Sequence, residues 1–379
     1  MTLNLTPLKY LLFIENITCV FRNYSHLTRC ARILTFAWFL LEVISILTNA
    51  LVNFALEDEI HIRAQRIYFL TSIGFSLYVM VAAVYYSKKF YSLLLNFDAF
   101  YNIFDDRIYN QTLLRAQKVL TVTIVSFCLM KIVTSTAVRL SNRRGTENMY
   151  KAILYNYNFN FTDFRYLFEY FVLYSILFVI CEQLRTITRS IDREMSLSRE
   201  RRENVEHAGD LSSATVSHDK INKWVKAYEN INDTSNLCNA MFSIQLTVMI
   251  LIVTVYYIIL MYSITLISVE GSQTMTTSMF AHFFSMAVFL IALFVISRAG
   301  QKVQNSSLQL RQKLCELCVY TLDNEECYKL AKDLLRCVRT RPVRIHVFGT
   351  LDVEMSMLPS IVTFFTTYTV IALQFNNVL

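Results

Sequence analysis

Seven long apolar segments alternate with polar connections along the chain. About 20 mainly apolar residues are needed for a helix to cross the roughly 30 Å hydrocarbon core of a bilayer. Segments of about that length or longer cover residues 33–56, 67–87, 119–138, 166–184, 240–268, 277–297 and 358–377. The pattern predicts an all-α membrane protein with seven transmembrane helices.

Several connections between these spans also have helical patterns. Residues 185–206 continue the fourth span without a helix breaker, and 298–340 repeat apolar residues at helical spacing with no Gly or Pro after Gly300. These segments form either a cytosolic helical bundle that joins subunits or solvated helical extensions. Residues 8–21 are too short and too polar to span, and we interpret them as an interfacial or re-entrant helix.

The spans and connections divide the chain into four parts. We predict a cytosolic N-terminal segment, a six-helix ligand-binding bundle that includes the cytosolic loop 185–239, a cytosolic helical anchor and a pore-lining seventh helix. Their ranges are 1–32, 33–297, 298–357 and 358–379.

Composition excludes an ordinary soluble enzyme. Of the 379 residues, 54% are hydrophobic and 17% charged, whereas soluble domains average about 45–50% and about 25%. Only 6 Gly and 3 Pro occur, and of these only Gly74 interrupts an apolar run. Transporters typically rely on helices broken at such residues, so the composition disfavours a transporter.

The distribution of basic residues sets the predicted orientation. Lys and Arg number 28 on the side of the N-terminal segment and 7 on the other side, with Lys131 inside the third span. Because cytoplasmic loops carry the excess of Lys and Arg, we predict a cytosolic N-terminus and an extracellular C-terminus. This is the reverse of a G-protein-coupled receptor. Asn160 is then the one glycosylation sequon that faces outside.

The nine cysteines do not predict a disulfide or a metal site. None falls in a predicted outside loop, and cytosolic thiols stay reduced. Cys315-x-x-Cys318, followed by Cys327 and Cys337, resembles half of a zinc site, but a second tight ligand pair and a nearby His are missing. We interpret these as packing cysteines, and we expect no metal, no cofactor and no catalytic residues.

The last span carries a polar stripe. Placed on a helix, residues at spacings of 3 and 4 share one face; they are Ser360, Thr363, Thr367, Val370, Gln374 and Asn377. Polar groups in hydrocarbon need a partner, and water in a weakly selective pore is one. Hydrogen bonds back to the same helix are the alternative, and the pattern alone does not separate the two.

The same span carries a family motif. The nine residues Thr367-Tyr368-Thr369-Val370-Ile371-Ala372-Leu373-Gln374-Phe375 resemble the TYhhhhhQF signature of insect gustatory receptors, and Phe348–Glu354 resembles the lead-in to it. Span number, orientation and length fit the same family. One departure is Thr369, at a position where the sugar-receptor subgroup tends to have Glu, so the chain resembles a bitter-type or orphan receptor.

The resemblance implies a ligand-gated, non-selective cation channel in the plasma membrane of chemosensory neurons. Each of four subunits, identical or related, would contribute its last helix to one central pore. Gln374 and Phe375 would form the gate at the outer mouth, and Thr363 and Thr367 would line the passage below. The ligand would be a small-molecule tastant; nucleic acid is not an expected partner.

Aromatic and ionisable residues within the spans are candidates for the ligand pocket. Ionisable residues at membrane depth are usually functional, and aromatic rings with a few polar tips suit small molecules. The candidates are Lys131, Glu169, Tyr166, Tyr170, Tyr174, Tyr257, His282 and Phe283. Lys131 and Glu169 are positioned to pair. The alternative is an interfacial aromatic belt with snorkelling charges. A pocket this aromatic fits a bitter plant compound better than a sugar.

The competing function is a seven-span chemoreceptor that signals through G proteins. Such a receptor predicts Asp/Glu-Arg-Tyr after the third span and Pro-kinked late spans. This chain instead has Val138-Arg139-Leu140, and its fifth and sixth spans contain no Pro. Glu42, Lys131 and Glu169 form no obvious catalytic set, so an intramembrane enzyme is disfavoured as well.

Overall fold

A computed structural model describes most of the chain. It covers residues 9–55, 60–104, 149–205, 216–270, 276–347 and 351–375, with isolated helical positions between 115 and 129. Most of the predicted third span, including Lys131, therefore lies outside the described residues.

Helices make up nearly all of the described structure, as predicted. They are α1 (Lys9–Ile17), α2 (Arg29–Ala55), α3 (Ile60–Tyr85), α4 (Ser87–Phe104), α5 (Met149–Val205), α6 (His218–Glu270), α7 (Thr276–Tyr320), α8 (Glu325–Thr340) and α9 (Met357–Phe375), with a 3₁₀ turn at Tyr24–His26. Between α8 and α9, the two-residue strands β1 (His346–Val347) and β2 (Leu351–Asp352) pair antiparallel.

Four helices in the described part are long and apolar enough to cross a membrane, namely α2, α5, α6 and α7. The helical extension predicted after the fourth span is confirmed, because α5 runs without a break to Val205.

Two predicted connections contain helix. Residues 149–165, predicted as outside loop, form the first turns of α5, and 88–104, predicted as cytosolic loop, belong to α4. In both, polar side chains lower the hydropathy without breaking the helix. Asn160 thus lies within α5, and whether it is glycosylated stays a prediction.

The N-terminal segment enters the helix bundle. After α1 the chain turns at Cys19, which has a left-handed φ of 64°, and Cys19 and Val20 are fully buried. Glu15 and Arg22, on either side of this turn, are buried as well. Residues 18–22 therefore belong to the core of the bundle, whereas Phe13 and Ile17 of α1 are exposed.

The amphipathic helix α8 returns along the long extensions of α6 and α7. Asn324 caps its N-terminus by accepting a hydrogen bond from the Cys327 amide, which satisfies one free donor of the first turn. Its buried face repeats at helical spacing and consists of Cys327, Ala331, Leu334 and Val338. Residues 298–340 therefore form a packed helical unit.

Candidate functional site

Helix α9 contacts the rest of its own chain through one narrow stripe. Met357, Ile361 and Phe365, four residues apart, are buried, and Phe365 stacks on Tyr257 of α6 with the ring centroids 5.3 Å apart. Most of the other described side chains of this helix are exposed. The bundle therefore covers only a small part of the α9 surface.

The predicted polar stripe lies on the opposite face of α9. Thr363 and Thr367 are each two positions from Phe365, which places them about 160° around a helix of 3.6 residues per turn. Ser360, Val370 and Gln374 are exposed on the same side. The side chains of Phe375 and Asn377 lie outside the described residues.

Two threonine hydroxyls on α9 have helix partners, which was the alternative to a wet pore. The Thr367 hydroxyl donates to the Thr363 carbonyl at 2.9 Å, and neighbouring Thr366 donates to Val362 at the same distance. Back-bonding satisfies each hydroxyl proton but leaves oxygen lone pairs open. It therefore does not explain why the polar positions share the face that points away from the bundle.

Residues 341–356, which we term the linker, connect α8 to α9 and are hydrogen bonded to α6. Asn239 donates from its amide to the Arg344 carbonyl at 2.8 Å and accepts from the His346 amide at 2.9 Å. The Tyr228 hydroxyl donates to the Arg341 carbonyl at 2.7 Å. Burial raises the pKa of Tyr228, so its phenol remains a neutral donor. One face of α6 thus fixes the position of the linker.

Helix α7 holds the other side of the linker. Gly300 packs directly against Val353, where a Cβ atom would lie 1.9 Å from the carbonyl oxygen. Asp352 accepts from Arg344 at 2.9 Å, and its other carboxylate oxygen lies 2.8 Å from Nδ1 of His346. The linker that positions α9 is consequently fixed by two helices that continue into the predicted spans.

The comparisons with known proteins agree with this architecture. Residues 5–377 match a family model described as 7tm Chemosensory receptor. The chain belongs to this family of chemosensory receptors. Similar solved structures are the insect olfactory receptor OR5 from Machilis hrabei, at 13% identity and a TM-score of 0.65, and OR5 with eugenol, at 14% and 0.62. The match to the first structure covers 96% of this chain and 97% of the OR5 chain, and the match to the second covers 97% of both chains. No curated protein sequence matches.

The structure places the predicted ligand residues of this receptor in different surroundings. Tyr170 is buried, and its hydroxyl has no hydrogen-bond partner among the described residues. Tyr174 is half-buried, and Tyr257 lies against α9. Lys131 and the side chains of Tyr166, His282 and Phe283 lie outside the described residues, so the ligand pocket as a whole remains a prediction.

Glu169 has partners that the sequence did not predict. Arg22 and Gln245 both donate to its Oε2 atom. Glu169 was also predicted near the outer end of a span that begins at 166, whereas α5 begins at Met149. Twenty residues place Glu169 about 30 Å along that helix at 1.5 Å per residue.

A second buried ion pair in the receptor was also missed. Arg165 donates to Glu42 at 2.6 Å, to Ser76 at 2.7 Å and to the Thr18 carbonyl at 2.8 Å. The sequence does show Arg165 at the edge of one predicted span and Glu42 within another. Because 123 residues separate them, it does not indicate that they are in contact.

Three of the four cysteines between 315 and 337 have the surroundings of packing residues: Cys327 is buried and Cys318 and Cys337 are half-buried, whereas Cys315 is exposed. Cys327 donates to the Val216 carbonyl at 3.3 Å, and burial raises the pKa of Cys318, Cys327 and Cys337. In the described part of the chain, no three His, Cys, Asp or Glu side chains form a group that could hold a metal ion.

Proposed function

We propose that this chemosensory receptor is a ligand-gated, non-selective cation channel whose pore is lined by α9. The observation that carries the proposal is the polar face of α9, opposite the stripe that packs on the bundle. A helix facing lipid on that side would expose polar groups to hydrocarbon at a cost. A water-filled pore between subunits satisfies them.

The ligand in this proposal is a small molecule bound among the spans, and the response is taste, with a bitter plant compound as the favoured class. The family membership supports a chemosensory ligand, and eugenol is bound in the solved OR5 complex. Thr369 and the aromatic pocket candidates favour an apolar compound over a sugar. Four subunits, identical or related, complete the pore.

Helix α9 and the linker provide a route from ligand to gate. Tyr257 lies on α6, contacts Phe365 on α9, and belongs to the set predicted for ligand binding. Asn239 on the same helix holds the linker. A shift of α6 on ligand binding would therefore move α9 at two points: at Phe365, through Tyr257, and at the start of the helix, through the linker.

Thr366 and Thr367 offer a matched test of the pore face. Both are exposed, and both donate back to the helix at 2.9 Å, but they point about 100° apart. We expect a hydrophilic, charged thiol reagent to block ligand-evoked current in Thr367→Cys and not in Thr366→Cys. The unsubstituted receptor controls for the native cysteines. Equal block of both variants, or of neither, would exclude the assigned pore face.

A further inference from the structure

A fully buried group of charged side chains joins the N-terminal segment to two of the long helices. Glu15 of α1, Arg22 after the Cys19 turn, Glu169 of α5 and Gln245 of α6 form what we term the Arg22 cluster. Arg22 Nε donates to Glu15 Oε1 at 2.9 Å, and its Nη2 donates to Glu169 Oε2. All four side chains are at most 4% exposed.

The charges of the Arg22 cluster do not balance. Two carboxylates face one guanidinium, which leaves one negative charge in excess when both acids are ionised. The adjacent Arg165–Glu42 pair is neutral by itself and supplies no compensating charge. Among the described residues, the other groups near the cluster are uncharged: they include Tyr78 of α3 and Cys238 of α6, and the rings of Phe90 and Phe242 flank Arg22 at 5.4 and 5.0 Å.

The excess charge falls on oxygen atoms without partners. Glu15 Oε2 and Glu169 Oε1 are buried, and neither has a hydrogen-bond partner among the described residues. An uncompensated buried carboxylate is costly, and such a group usually takes up a proton instead. When two carboxyls share one site, the ionisation of one suppresses that of the other.

We propose that the Arg22 cluster is a proton-binding site that holds one proton, shared between Glu15 and Glu169, at neutral pH. Proton transfer from water to one carboxylate makes the cluster neutral and keeps the other carboxylate paired with Arg22. A proton needs only one carboxyl oxygen, whereas a metal ion needs several converging ligands. The bound proton lets the N-terminal segment remain buried between α5 and α6.

The shared proton makes an unusual prediction for single substitutions. Either Glu15→Gln or Glu169→Gln leaves one carboxylate opposite one guanidinium, which is already neutral. Each variant alone should therefore lose the whole proton, rather than half of it. If the two carboxyls were protonated independently, each variant would lose only the signal of the carboxyl that it replaces.

Infrared spectroscopy detects this proton directly. A protonated carboxyl gives a C=O stretching band that shifts in ²H₂O, and we expect the wild-type full-length receptor in detergent to show it at pH 7. Both variants should lack this band equally. Glu182→Gln is the matched control, because Glu182 pairs with Arg185 at 2.7 Å; the band should be retained there.

Several results would overturn the proposal. Identical carboxyl spectra of wild type and Glu15→Gln would show that Glu15 has no share in a bound proton. Loss of about half the band in each variant would contradict sharing. If neither variant folds, titration of the wild type decides alone: a band that is absent at pH 7 and appears only under acidic conditions removes the site.

Discussion

Replacing Gly300 with alanine tests whether the linker sits directly on α7. A Cβ atom there would lie 1.9 Å from the Val353 carbonyl oxygen and 2.9 Å from its carbon. Contacts of Cβ atoms essentially never fall below 3.0 Å, so the two segments must separate by at least 1.1 Å, the difference between 3.0 and 1.9. Because the obstacle is backbone, rotation of a side chain cannot relieve the clash.

The expected cost exceeds the gain that alanine brings to a helix. Overpacking of this kind costs about 1–3 kcal/mol or more, whereas Gly→Ala inside a helix contributes about 1 kcal/mol. We therefore expect a net loss of stability in Gly300→Ala, together with an altered ligand response because α9 begins at Met357, shortly after Val353. The thermal midpoint of purified receptor in detergent, read by size-exclusion chromatography after heating, measures the loss.

Gly74 provides the matched control for this substitution. It also lies inside a helix, but no described atom comes within 4 Å of a Cβ built there. Gly74→Ala should thus be neutral or more stable, by about 1 kcal/mol at most. If Gly300→Ala is as stable as Gly74→Ala, the close approach of α7 and the linker is refuted.

Three further substitutions test other contacts. Asn239→Ala removes the two hydrogen bonds of Asn239 to the linker. It should lower the free energy of unfolding by about 1–3 kcal/mol and shift the ligand dose response, whereas Asn236→Ala, at an exposed position of the same helix, should change neither the stability nor the response. Arg22→Met leaves the buried carboxylate of the Arg22 cluster without its guanidinium partner and should lower the free energy of unfolding by about 3–5 kcal/mol. Arg185→Met removes a partly exposed pair with Glu182 and should cost about 1 kcal/mol or less; equal thermal midpoints of the two variants would contradict the buried cluster. Gln374→Ala should alter gating or ion selectivity at unchanged surface expression, and normal currents would remove this side chain from the pore.

The sequence predicts those features of the fold that depend on local periodicity. The spans at α2, α3, α6, α7 and α9 appear as apolar runs, because hydrocarbon requires uninterrupted apolar surface. The helical continuation to Val205 follows from the lack of breakers. The helical turns at 149–165 are not visible in the sequence pattern, because polar side chains interrupt the apolar run there without breaking the helix.

The buried charges could not be paired from the sequence. Arg22 and Glu169 are 147 residues apart, and their contact exists only because the N-terminal segment turns at Cys19 into the bundle. Arg165 falls in a predicted outside loop and Glu42 in the first predicted span, so the sequence does not predict their pair. The polar stripe of α9 was visible from spacing, but only the packing of Phe365 shows which face points away from the bundle.

The most direct test of the account is whole-cell current in cells that express this receptor while G-protein signalling is blocked. Perfusion with bitter plant compounds and with simple sugars separates the ligand classes. The account predicts a rapid, non-selective cation current that survives the block and that Thr367→Cys makes sensitive to a charged thiol reagent. A ligand response that disappears under the block and carries no receptor current would contradict it.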